Sequence, residues 1–414
     1  MQADIFCRVV DNYGDIGVCW RLARQLARDF HWDVRLWVDD LTSFAHIQPG
    51  ITPGAARQQL AGVDVVHWSD APDATLAARD VVIEAFACDP PESFIASMRR
   101  THPVWINLEY LSAEAWVESC HGLPSQRPDG LVKHFFFPGF TPATGGLLRE
   151  PALNAEREAL QGSADMQDTF LRSAGVPDDA LAFRRTGART VSLFCYPSAP
   201  VAELAQALTA DARPTLLLVP QGVAPGLEAA CQTAGAPRVV RLPFLAQPDY
   251  DRLLWCADLN FVRGEDSFVR AAWAARPLVW QIYPQDENVH LEKLEAWLAR
   301  YPAPETAHAL IRAWNESKPG SEVGPEVGSE VVSEVVSEVG SKVGSKVVSK
   351  VGSKADSKAD SKAGRTALAF AAALAPDAWL AWSDAARDWN ASQSALPGLA
   401  ENLATFCAEL AKKR

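Results

Sequence analysis

No stretch of this sequence is long and apolar enough to read as a membrane-spanning helix, because no apolar run reaches the roughly 18 residues that a hydrocarbon core requires. Paired-cysteine motifs are absent too. The eight cysteines, at 7, 19, 88, 120, 195, 231, 256 and 407, contain no CxxC pair. Neither a zinc site nor a redox motif is indicated, and reduced, buried thiols are the expectation. The eight histidines form no HExxH and no pair at useful ligand spacing, so no metal site is visible. Positive charge is in deficit: 39 Lys and Arg against 51 Asp and Glu leave a formal net charge of -12. That balance argues against a nucleic-acid backbone as the main partner, while a local basic pocket for phosphates remains compatible with it. The opening MQADIFCRVVDNYGD lacks a basic n-region and a small-residue cleavage site. It reads as a first β-strand rather than a secretory signal, and a cytoplasmic location is the expectation.

What is present is a globular composition, 48% apolar and 22% charged over 414 residues, enough chain for two domains with a core each. Short apolar runs alternate with amphipathic stretches such as WRLARQLARDF. Strands are predicted at Ile5–Val10, Val34–Val38, Val63–His67, Val81–Ala85, Val104–Leu108 and His134–Phe137. After a polar, irregular stretch the pattern restarts with Thr190–Tyr196, Thr215–Val219, Arg238–Leu242, Leu259–Arg263 and Leu278–Ile282. Strands alternating with helices predict parallel sheets covered on both faces. The reading is α/β: a Rossmann-like domain over 1–150, a linker over 151–189, and a second Rossmann-like domain over 190–316, facing the first across a cleft. Residues 317–364 carry a tetrapeptide repeat, SEVG and SEVV passing into SKVG, SKVV and SKAD. Isolated Val, Gly and Ser at this density bury too little area to offset chain entropy, so a disordered surface insertion is expected. The last segment, 365–414, reads as helical with a break near Pro397 and is free to pack on either domain.

Two segments carry chemistry. The first, DNYGDIGVCW, lies between the first strand and the first helix. Ligands of parallel sheets bind at the carboxyl ends of strands, which places Asp11 and Asp15 at the mouth of the cleft. Gly14 and Gly17 permit a tight turn and close approach of a ligand. The spacing is not GxGxxG, and two carboxylates would repel a pyrophosphate, which argues against the rival reading of a dinucleotide-type oxidoreductase. Paired carboxylates suit holding and deprotonating a nucleophile, or binding a cation. The plainer alternative is that Asp15 caps the helix and Asp11 only ends the strand. The second segment, FVRGEDSFVRAAW, follows an apolar strand and opens a helix. Asp266 and Ser267 are good N-cap types, and the positive helix end is a natural seat for a diphosphate. Arg263 or Arg270 adds charge, while Glu265 suits sugar hydroxyls or a ribose. Phe194, Tyr196, Phe244 and Tyr283 are candidates to stack on a pyrimidine base, Phe244 foremost because Pro243 turns the chain at a strand end; core packing is the alternative for each. Asp39 and Asp40 follow a strand without a DxD spacing, and Asp40 reads as a helix start. His290 reads as a helix-start residue.

At these segments the chain resembles the EarP family, which rhamnosylates elongation factor P on arginine. The matching strings are IFCRVVDNYGDIGVCWRLARQL, LWVDD, INLEYLSAEAWVESCHGLPS, HFFFPGFTPATGGLLRE, VRGEDSFVRAAWA and PLVWQIYPQDENVHLEKL, and they span nearly everything except the repeat tract. The resemblance implies a GT-B fold and an inverting, metal-independent transfer of L-rhamnose from dTDP-β-L-rhamnose to an arginine of elongation factor P, with no cofactor beyond that co-substrate, and no nucleic-acid or membrane partner. It implies essential carboxylates at Asp11, Asp15 and Glu265. It places donor contacts at Tyr13, Gly14, Gly17, Arg263, Asp266 and Ser267, with Phe244, Phe194, Tyr196 and Tyr283 near the base. Asp15 is read as the base and Asp11 as its orienting partner, although the residue types alone allow the reverse. The alternatives are a GT-B glycosyltransferase with another donor or acceptor, and a non-catalytic protein that chaperones elongation factor P.

Overall fold

The computed structural model describes residues 1–11, 13–69, 77–285, 289–316 and 358–413, the side chains of 358–363 excepted. In the first half β1 (Gln2–Cys7), α1 (Gly14–Asp29), β2 (Asp33–Val38), α2 (Leu41–Ile47), β3 (Arg57–Leu60), β4 (Val63–His67), β5 (Val81–Ala85), α3 (Glu92–Thr101), β6 (Val104–Leu108), α4 (Trp116–Cys120), β7 (Pro124–Gln126) and β8 (Val132–Phe136) succeed one another. They form an 8-stranded sheet in the order β3-β4-β2-β1-β5-β6-β8-β7. Its centre is parallel, and each edge carries an antiparallel strand, β3 on β4 and β7 on β8. Neither edge strand was predicted, because RQQL and PSQ are polar and short and pair only at a solvated rim.

The stretch 151–189, expected to be an irregular linker, is folded as α5 (Leu153–Gln161), α6 (Ala164–Ser173) and α7 (Asp178–Arg185). Leu153, Leu160, Leu171 and Leu181 are buried in the second core. The apolar stripe is sparse, and buried Arg157 and Asp168 mask it in the sequence; Arg157 is held by Trp273 O and Asn390, Asp168 by Arg184 and Arg185. The second sheet contains β9 (Arg189–Leu193), β10 (Thr215–Pro220), β11 (Arg238–Leu242), β12 (Leu259–Arg263) and β13 (Leu278–Gln281), with α8 (Val201–Ala210), α9 (Leu227–Ala230), α10 (Gln247–Cys256) and α11 (Asp266–Trp273) between them. Its order is β11-β10-β9-β12-β13, and every pairing is parallel. α12 (Val289–Leu298) and α13 (Glu305–Asn315) follow.

The repeat expectation for 317–364 falls outside the described residues up to 357; its last residues instead open α14 (Lys358–Leu374). α15 (Pro376–Ser394) and α16 (Leu399–Lys412) complete the chain. The C-terminal helices serve both domains. Phe370 and Trp382 join the second core, whereas Leu399, Leu403 and Cys407 of α16 join the first. No described helix is long and apolar enough to cross a membrane.

Both sheets reverse strand order at their first strand. β1 leads to β2 on one side and has β5 on the other; β9 leads to β10 on one side and has β12 on the other. The carboxyl ends of strands flanking such a reversal leave a crevice. Two predicted strands stop short there, for one reason. Beyond Cys7, Val9 N–H donates to Asp39 and Val10 N–H to Asp15, so side chains take the hydrogen bonds that a longer β1 would give its neighbours. Beyond Leu193, Tyr196 N–H donates to Gln281 Oε1.

Candidate functional site between the domains

The chain leaving β1 turns through a 2.7 Å hydrogen bond from Gly14 N–H to Asp11 O and enters α1. Asp15 is not a conventional cap. Its Oδ2 accepts the N–H groups of Val10 and Asp11 at 2.8 and 2.9 Å, so the carboxylate folds back to hold the loop that precedes it. Among the described residues Oδ1 has only a long contact, 3.4 Å from the Tyr110 hydroxyl. Burial pushes Asp15 up to about 6 against the pull of those two N–H groups. Asp11 is likewise raised by burial, with the Tyr196 hydroxyl and the Arg263 guanidinium opposing. Asp40 caps α2 by accepting from Thr42 and Ser43 N–H, as the sequence suggested.

The turn after β12 faces this loop. Tyr196, just past β9, donates its hydroxyl to Asp11 Oδ2 at 2.8 Å, which joins the two domains across the cleft. Gly264 has φ +64, and a Cβ there would lie 2.8 Å from Asp11 Oδ2, so glycine is required both by its backbone conformation and by the approach of Asp11. Arg263 lies over the rings of Phe194 and Tyr196 at 4.5 and 4.6 Å. Glu265 is partly accessible through the cleft, yet atoms of both domains pack around it, and this desolvation pushes it up to about 8. Its Oε2 accepts Leu111 N–H at 2.9 Å.

Several expectations need correction. Asp266 is the first residue of α11 rather than its cap, and no side chain caps that helix. Its Oδ1 instead accepts from Arg21 Nε at 2.9 Å. Arg270 is not a spare cation for a phosphate. It is buried, paired through two nitrogens with Asp251, and bonded to Glu150. Arg21 of α1 reaches across to the same Asp251 with two bonds of 2.9 Å, so two arginines and three carboxylates form one buried cluster across the domain boundary. Gly17 admits the second domain, not a ligand: a Cβ there would meet Asp266 and Gln247 at 3.2 Å, and its carbonyl accepts Gln247 Nε2. His290 is buried, and its Nδ1 accepts Gln285 N–H.

The remaining predicted residues converge. Asp11, Tyr13, Gly14, Phe194, Phe244, Arg263, Asp266 and Ser267 line one cleft of about 700 Å³, open solvent at its mouth included. Phe244 is 39% exposed, with its ring 4.9 Å from that of Tyr13, so one wall brings together an aromatic from each domain. Tyr196 lies behind, with Tyr283 edge-on to it at 5.8 Å. Glu265 lines a smaller adjoining pocket with Leu111 and Asp266. Among the described residues no three His, Cys, Asp or Glu side chains are grouped to hold a metal ion.

Sequence reasoning missed Gln247, Tyr250, Tyr110 and Arg21. Gln247 and Tyr250 stand three apart on the first turn of α10 and both line the cleft. That spacing, directly after the Phe244 turn, was a readable signal. The buried Tyr250 hydroxyl has Ser267 as its polar neighbour but makes no hydrogen bond of ordinary geometry among the described residues, which leaves a donor for a ligand.

An aromatic slot and an open helix end on one domain, facing carboxylates on the other across crevices at both strand reversals, define a GT-B glycosyltransferase. The solved structure of TcCGT1 in complex with UDP shares this fold at TM-score 0.50 and 10% identity, covering 100% of this chain and 98% of that one. The family described as Elongation-Factor P (EF-P) rhamnosyltransferase EarP matches residues 3–408, and the chain belongs to that family. It is 52% identical over 333 residues to the protein-arginine rhamnosyltransferase of Pseudomonas putida, covering 75% of this chain and 86% of the relative. It also aligns at TM-score 0.58 and 31% identity, over 99% of both chains, with a solved structure described as the structural basis for EarP-mediated arginine glycosylation of translation elongation factor EF-P.

Proposed function

We propose that this enzyme transfers L-rhamnose from dTDP-β-L-rhamnose to an arginine of translation elongation factor P, by a single displacement that inverts the anomeric centre, in the cytoplasm and without a metal. The observation that carries the reading is the meeting of Asp11 with the donor-side turn, through Tyr196 and the Gly264 approach. A guanidinium is a poor nucleophile, with a pKa above 12 and delocalised lone pairs. Asp11 and Asp15 supply charge-assisted acceptors for it. The arginine nitrogen bonds to C1 of the sugar, the C1–O bond to the diphosphate breaks with its electron pair, and a proton passes from nitrogen to Asp15.

In this reading the base stacks at Phe244, and the α11 N-terminus with Ser267, Tyr250 and Arg263 receives the developing diphosphate charge. Glu265, raised to about 8, is largely neutral at pH 7, which suits hydrogen bonding to donor hydroxyls better than support of a cationic sugar. The test is to incubate the purified chain with unmodified elongation factor P and dTDP-L-rhamnose and to read the intact mass. One added deoxyhexose supports the reading. No addition, or equal transfer from a UDP-sugar, overturns the acceptor or donor assignment.

A further inference from the structure

The donor cleft accounts for Asp11 and the turn after β12, but it leaves unexplained the far side of Asp15 and the loop that follows β5. That loop is strained. Phe86, Ala87 and Asp89 have φ of 59°, 53° and 45°. Left-handed conformations at non-glycine residues persist only where the surroundings impose them, and they concentrate at ligand-holding sites. Here the surroundings do impose them: Phe86 N–H donates to Leu108 O at 2.7 Å, and Ala87 N–H to Asn107 Oδ1 at 3.1 Å. The same buried Asn107 donates Nδ2 to Glu109 Oε1 at 2.6 Å, so one side chain ties the strained loop to the carboxylate that follows β6.

This bracing presents an aromatic shelf. The Phe86 and Tyr110 rings stack at 4.2 Å and 12°, and Tyr110 is 37% exposed, whereas Asp15, within reach of its hydroxyl, is 3% exposed. Asp15 Oδ2 is already used by two backbone N–H groups, so Oδ1, on the Tyr110 side, is the oxygen available to a substrate. Leu111 N–H donates to Glu265 Oε2 at 2.9 Å, so Glu265 adjoins the same segment after β6 that carries Glu109 and Tyr110. An aromatic face beside a carboxylate, here Tyr110 beside Asp15, is the pairing that recognises a planar, delocalised cation.

We infer that the acceptor arginine lays its guanidinium on Tyr110, with Phe86 supporting that ring from behind and Glu109 as flanking carboxylate, so that its reacting nitrogen meets Asp15 Oδ1. The inference rests on the arginine-transfer reading, and it names binding residues that the donor side does not use. The strained loop is then the device that holds the shelf in place before the acceptor arrives.

The test compares wild type, Tyr110→Leu and Tyr110→Phe. In transfer assays at saturating donor, Tyr110→Leu is expected to raise the acceptor KM between about twofold and thirtyfold, the span of a cation–π contact. Tyr110→Phe restores it, and the calorimetric Kd for dTDP stays unchanged in both, which also verifies folding. An acceptor KM within twofold of wild type for Tyr110→Leu overturns the inference. So does a parallel loss of dTDP or donor affinity, which would give the ring to the sugar. Saturation-transfer NMR with N-acetylargininamide supplies a second arm, with the neutral citrulline analogue as control. Signal in wild type that is lost in Tyr110→Leu supports the shelf; equal signal in both proteins, or none in wild type, overturns it. If argininamide docks at Tyr110 while elongation factor P gains no mass, the shelf stands and the acceptor assignment fails.

Discussion

Replacing Asp15 by Asn should remove activity and stabilise the protein, and the stabilisation should depend on pH. Burial lifts the Asp15 carboxyl from an ordinary 3.8 to about 6. Below 3.8 the folded and unfolded chains both carry it neutral, and it costs nothing. Between that value and about 6 the unfolded chain ionises it more readily than the folded protein does, and the cost grows. Above about 6 the folded state bears the full cost, on the order of 3 kcal/mol. Asn is neutral throughout. Its Oδ1 can still accept Val10 and Asp11 N–H, and its amide can donate to the Tyr110 hydroxyl, so the loop keeps its hydrogen bonds. Allowing for weaker bonds to an uncharged acceptor, Asp15→Asn should gain about 1–3 kcal/mol at pH 8 and about nothing at pH 4. Urea unfolding of both proteins across that range measures it, with single-turnover transfer in parallel. Transfer should fall by about 10²–10⁴. The reasoning fails if the variant is no more stable at pH 8, or if the difference does not change with pH. Retention of more than about a tenth of the wild-type rate would remove Asp15 as the base.

The kcat/KM profile should be bell-shaped, with an acid limb near 6 from Asp15 and a basic limb near 8 from loss of the Glu265 proton. Glu265→Gln should abolish the basic limb while Glu265→Ala abolishes turnover; a basic limb that persists in the Gln variant assigns it elsewhere. Arg21→Met leaves Asp266 unpaired beside the donor turn and should cost about 3–5 kcal/mol in denaturant unfolding, with weaker dTDP binding by calorimetry. A loss below about 1 kcal/mol would show that the cluster relaxes without it. Phe244→Ala should weaken dTDP about 5- to 150-fold through lost stacking while sparing the acceptor KM; unchanged dTDP affinity would place the base on another ring.

Much of the site was legible because its chemistry is local in the chain. DNYGDIG and RGEDS each pack their groups within one strand-to-helix turn, and strand ends of parallel sheets are where such groups become accessible. Residues that depend on another segment were not legible in that way. Nothing in WRLARQLAR sets Arg21 apart from its neighbours, while Arg270 reads as a spare phosphate ligand and Gly17 as a ligand approach. Each instead meets the opposite domain. Tyr110 lies in INLEYLSAEAW, and its proximity to Asp15 joins positions 95 residues apart.

The sequence by itself determined that the chain is α/β, that the pattern runs twice, and that carboxylates follow the first strand and a helix-opening turn follows a later one. Periodicity and strand-end chemistry act over a few neighbouring residues. Only the tertiary structure decided that those carboxylates face that turn, that a charged cluster rather than a ligand occupies the junction, and that Asp15 and Glu265 sit at about 6 and 8. Desolvation and cross-domain pairing depend on which distant atoms displace water from a group, and no local pattern encodes that displacement.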